Sequence, residues 1–97
     1  MFRDFDYGEN VLNLYVDFDY DKSKTLLEQI DVLKEDLIQI QYENGYIIDV
    51  GWYPEFSKSG LFKVYVTKNY NVCTVKTCKN IDELIMTLRC CIDKIQG

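Results

Sequence analysis

The chain has 97 residues, 47% hydrophobic and 14% aromatic, with 11 Lys+Arg, 16 Asp+Glu and no histidine. This is a globular composition, long enough for one core without a second lobe. Without an imidazole the commonest general base and metal ligand are missing, and Ser-His and Cys-His nucleophiles are excluded.

The chain reads as a single domain, 1–97, in which residues 1–10 form a loose acidic leader. From Val11 to Tyr20, Leu12, Leu14, Val16, Phe18 and Tyr20 alternate with Asn13, Tyr15, Asp17 and Asp19. That period of two predicts a strand with one buried face. The period then changes. Leu26, Ile30, Leu33, Leu37 and Ile40 recur at helical spacing, which predicts an amphipathic helix of about five turns. Thr25-Leu26-Leu27-Glu28 fits a capping box, and Asn44-Gly45 supplies a stop.

Tyr46–Tyr53 is a second strand with Ile48, Val50 and Trp52 on its inner face. Gly51 within it marks a bulge or a close approach of backbone. After the Pro54–Gly60 loop, Leu61–Lys68 is a third strand, with Phe62, Val64 and Val66 inward. Asn69-Tyr70-Asn71 turns the chain into a weaker strand, Val72–Cys78. Asn80 then caps a final helix whose apolar stripe is Ile81, Leu84, Ile85, Leu88, Ile92 and Ile95. The expected fold class is α+β. It is a two-layer sandwich in the order β-α-β-β-β-α, with a mostly antiparallel sheet and two helices on one face.

Few constellations carry chemistry. Asp17, Asp19, Asp21 and Glu28 match four ligand positions of an EF-hand loop. Lys22 stands where the turn needs glycine, however, and a strand precedes it. Cys73, Cys78, Cys90 and Cys91 lack zinc-site spacing and read as small core fillers. No phosphate-binding glycine loop occurs. The expectation is a protein that is not an enzyme and has no catalytic residue, metal or cofactor. The acidic start does not resemble a signal peptide and no 18-residue apolar run exists, so a cytoplasmic protein with reduced cysteines is expected.

Charge is unevenly spread. Residues 1–55 hold 4 basic and 13 acidic side chains, and residues 56–97 hold 7 basic and 3 acidic. With both helices on one face, the other sheet face is open. By alternation it displays Asn13, Tyr15, Asp17, Asp19, Ile47, Asp49, Tyr53, Lys63 and Tyr65. Tyrosines set among aspartates suit contact with a basic partner, whereas an ordinary solvated face would owe its tyrosines to strand propensity.

The stretch from Tyr46 to Val66, with Gly51-Trp52-Tyr53-Pro54-Glu55 followed by Gly60 and an alternating strand, resembles small immunity proteins encoded beside bacterial polymorphic or contact-dependent inhibition toxins. The likeness covers about a fifth of the chain. It implies a cytosolic inhibitor of one cognate toxin domain, commonly a nuclease and therefore basic. On that reading the partner-binding residues are Tyr15, Asp17, Asp19, Asp49, Tyr53 and Tyr65, with Glu55 and Phe56 at the strand end. Trp52 has core parity. The acidic flank of the first helix, Glu28, Asp31, Glu35 and Asp36, is the alternative surface. The reading carries no direct nucleic-acid contact and no membrane, and a monomer or weak dimer when free. The competing reading is a regulatory or nucleic-acid-associated module, because helix-strand-strand-strand-helix is also the order of double-stranded RNA-binding domains. The acidic balance opposes it.

Overall fold

Five strands follow one another along the chain: β1 (Val11–Val16), β2 (Ile38–Tyr42), β3 (Tyr46–Tyr53), β4 (Leu61–Lys68) and β5 (Asn71–Cys78). The computed structural model describes residues 1–97 and sets these strands in one sheet of order β1-β2-β3-β4-β5, every neighbouring pair antiparallel. A 3-10 segment, Leu27–Val32, lies between β1 and β2, and helix α1 (Ile81–Gln96) closes the chain. The fold is α+β with an open antiparallel sheet.

Local chemistry accounts for the connections. The β4–β5 hairpin turns on Asn69 and Tyr70, both at positive φ, the backbone that matches strand twist in a two-residue turn. Gly45, at φ +92°, ends the β2–β3 turn where a side chain would be strained. Asn80 caps α1 by accepting from the Glu83 amide at 2.9 Å, while Glu83 Oε1 accepts from the Lys79 amide at 3.1 Å.

Residues opposite one another in the ladder share a face. Ile38, Ile40, Ile48, Val50, Trp52, Phe62, Val64 and Val66 build the buried face. Leu84, Leu88, Cys91 and Ile92 of α1 join them in the core, together with Leu33, Leu37 and N-terminal aromatics. Phe2 stacks on Phe18 at 5.1 Å, and Phe18 meets Phe62 at 5.8 Å. The Tyr42 hydroxyl donates to the Tyr7 carbonyl, and the Tyr7 hydroxyl to that of Phe2, each at 2.6 Å. Burial pushes the Tyr42 phenol up to about 12 and raises that of Tyr7 as well.

Several expectations are corrected. The predicted first helix is absent. Its first half is the six-residue 3-10 segment, which the Thr25–Glu28 capping box does open. Residues 33–37 of it are irregular and its end opens β2, where Ile38-Gln39-Ile40-Gln41-Tyr42 alternates with period two. The order is therefore strand, 3-10 segment, four strands and helix, with one helix and not two over the sheet. The helix-strand-strand-strand-helix order behind the RNA-binding comparison is not present. The first strand stops at Val16, because beyond Asp17 the chain leaves the sheet to bury Phe18. The leader is not loose, since Phe2 and Tyr7 are buried. Only Cys78 and Cys91 fill the core, whereas Cys73 and Cys90 are exposed.

Candidate interaction surface

The face of the sheet opposite the core has no second layer. Its central row crosses all five strands as Tyr15, Gln39, Asp49, Tyr65 and Val75, each opposite the next in the ladder. Tyr15 is 46% exposed, while Asp49, Tyr53 and Tyr65 are half-buried against their neighbours. Gln39 Nε2 donates to Asp49 Oδ1 at 2.9 Å, and Gln41 Nε2 donates to Gln39 Oε1 at 3.3 Å. Tyr53 and Tyr65 meet edge to face at 6.2 Å, and the Lys63 ammonium lies 5.6 Å from the Tyr53 ring centroid.

At the β1 end the Tyr15 hydroxyl donates to Asp17 Oδ2 at 3.2 Å, and Lys34 pairs with the same oxygen. The hydrogen bond from Lys34 holds the Asp17 carboxyl below its usual range and raises the lysine in return. Desolvation first, then the Asp17 charge, raises the Tyr15 phenol. Desolvation also raises Tyr53, followed by Tyr65, Glu35, Asp36 and Asp49. Both tyrosines therefore remain neutral hydroxyl donors throughout the physiological range.

An irregularity beside β3 shapes the surface. Leu37 N donates to Val50 O at 3.0 Å and Trp52 N to Lys34 O at 2.8 Å, so Glu35 and Asp36 bulge out between the two bonds. A Cβ on Gly51 would stand 1.9 Å from the Glu35 carbonyl oxygen, so this close approach requires glycine. The bulge brings Asp36 into a shallow concavity of about 210 Å³ with Tyr15, Gln39 and Asp49.

Tyr15, Asp17, Asp49, Tyr53 and Tyr65 thus lie on one face. Asp19 does not extend the row. Past the end of β1, it pairs with Arg3 at 3.0 Å. Glu55 lies at the rim, where its Oε1 faces the Glu35 amide at 3.5 Å. Phe56, 51% exposed at φ +58°, follows it and anchors its amide on Leu33 O at 2.8 Å. Trp52 is buried, its indole donating to Ser57 O at 2.8 Å.

Helical spacing alone puts Glu35 and Asp36 on a helix flank and gives Lys34, Gln39 and Gln41 no place on this surface. The alternation from Ile38 to Tyr42 was the signal for them. Glu28 and Asp31 stay on the 3-10 segment, and Glu28 is engaged by Thr25. Asp21, part of the EF-hand-like spacing, accepts from Ser23 N and Oγ. No group of three or more Cys, Asp or Glu is placed to hold a metal ion, and no helix is long and apolar enough to cross a membrane. No protein-family model, curated protein or solved structure significantly matches this chain.

Proposed function

We propose that this chain is a non-enzymatic binding protein that engages a basic protein domain through the open face of its sheet. The observation that carries the reading is the Tyr15–Gln39–Asp49–Tyr65 row with Tyr53 beside it and Asp17, Glu35, Asp36 and Glu55 around it. Hydrogen bonds and ring contacts already order much of this surface, so less rotamer freedom is lost on binding. Tyrosines supply rigid contact area, and the carboxylates supply steering towards a cationic surface. A nuclease that holds phosphates presents such a surface, and carboxylates on a sheet can stand in for the phosphates. Together with the resemblance of residues 46–66, this favours an immunity protein that neutralises a cognate bacterial toxin domain in the cytoplasm.

Co-expression with the C-terminal domain of the reading frame next to its gene tests the reading. Growth arrest by the toxin should be relieved by this chain and not by a Y15A/D49N/Y65A variant that melts like the parent. Toxicity that the parent chain fails to relieve would refute the immunity reading. Relief retained by the folded triple variant would move the interface off the sheet.

A further inference from the structure

The opposite side of the molecule holds a groove with a different chemistry. In β5, Thr74 and Lys76 stand opposite Val66 and Val64, on the face that is core elsewhere in the sheet. Helix α1 does not close over them. A groove of about 370 Å³ remains between β5 and α1, within the range of about 300–1,000 Å³ typical of small-molecule sites. Its floor is Val66, Cys91 and Ile95, all buried, and Tyr46 also lines it. Met86, on the helix side, is 71% exposed.

The charged groups that line the groove are of one sign. Lys76 and Lys94 line it, and neither is in an ion pair. Lys68, beside it, lies over the Tyr46 ring at 4.5 Å. No carboxylate lines the groove, and Glu83, one helical turn before Thr87, is turned to the cap of α1. In a chain of net charge −5, an apolar trough whose only charges are two unpaired ammonium groups selects against bulk cations and for an anion.

We infer that the groove between β5 and α1 binds a small anionic amphiphile, its apolar body on Val66, Cys91 and Ile95 and its carboxylate-type head between Lys76 and Lys94. The site is separate from the open sheet face and does not depend on the function proposed for that face.

Exposed Cys90 lines the groove and reports its occupancy. The full chain is titrated with decanoate, and with decanol as the uncharged control, while alkylation of each cysteine by iodoacetamide is followed by peptide mass spectrometry. Decanoate should protect Cys90 saturably at one equivalent, and decanol should do so about ten-fold more weakly. K76E/K94E changes two solvent-facing side chains outside any ion pair and should abolish the preference for the acid. T87W, with both lysines intact, should block binding of both probes. Equal protection by decanoate and decanol, or decanoate protection that survives K76E/K94E, would overturn the assignment. So would Cys90 protection that rises with protein concentration without ligand, which would place a second copy of the chain in the groove.

Discussion

Gly51 shows how one missing side chain sets the shape of a surface. Its Cα faces the Glu35 carbonyl, and an added methyl would lie 1.9 Å from that oxygen. The obstacle is backbone held by the Trp52–Lys34 and Leu37–Val50 hydrogen bonds, so it cannot swing aside as a side chain would. G51A should therefore cost about 2–3 kcal/mol, as overpacking does. For a domain of this size that lowers Tm by about 10–20 °C, readable by thermal denaturation. Asp17 makes a second prediction at this scale. Lys34 holds its folded carboxyl below the ordinary value of 3.8, so the unfolded chain binds the proton more readily in acid. The stabilisation is complete above 3.8 and is lost as pH falls through the lower folded value. Asp21, bonded by Ser23, and Glu28, bonded by Thr25, act in the same direction. Melting temperature should thus decline below about pH 4. D17N should show a shallower decline, its deficit against the parent closing as acid is added. Parallel curves would contradict the Lys34 pairing.

At the scale of elements, the segment from Asp21 to Tyr42 separates what sequence reading reaches from what it does not. The last helix and the β3–β4–β5 meander were legible because each carries one unmixed period and its own turn or cap. Residues 26–42 carry two periods at once. Leu26, Ile30, Leu33, Leu37 and Ile40 satisfy a helix, while Ile38, Ile40 and Tyr42 satisfy a strand, and pairing with both β1 and β3 decides for the strand. Local spacing contains no information about those partners. The open face was therefore legible for Asp49, Tyr53 and Tyr65, which lie on correctly read alternation, and for Tyr15, although the inner face expected of its strand is not buried, Leu12 and Leu14 being exposed beside a bulge. Gln39, Glu35 and Asp36 were missed because they depend on β2 and its bulge. Gln29 replaces the helix as the organiser of this region. It is buried, its Oε1 accepts from Asp21 N at 2.9 Å, and its Nε2 reaches the Asp21, Lys24 and Thr25 carbonyls. Q29A should cost about 1–3 kcal/mol by leaving those groups without partners. Q29E should be no better, because its carboxylate cannot donate to three carbonyl oxygens. Faster amide exchange confined to residues 21–29 would show that the loop, and not the sheet, has loosened.

At the scale of the whole molecule, the uneven distribution of charge becomes a spatial one. Asp17 just past β1, Glu35 and Asp36 just before β2, and Asp49 in β3 lie on or beside the open face, while six of the nine lysines fall in residues 56–97. A basic partner approaching from solution is attracted to the carboxylates gathered at the β1–β3 side of the open face. Long-range attraction acts on encounter and is screened over about 8–10 Å at physiological salt. Contacts made after docking act on dissociation. The two contributions can be separated on the surface proposed for binding. D36N and D49N should lower the association rate for a basic partner and flatten its dependence on ionic strength, with little change in dissociation. Y53A and Y65A should leave the association rate and its salt dependence near those of the parent and speed dissociation, because the two rings support each other edge to face. Stopped-flow association and surface-capture dissociation at several salt concentrations read both quantities. If the aspartate and tyrosine variants changed the same rate constant to the same degree, steering and anchoring would not be divided between carboxylates and rings, and the face would be acting as a single undifferentiated patch.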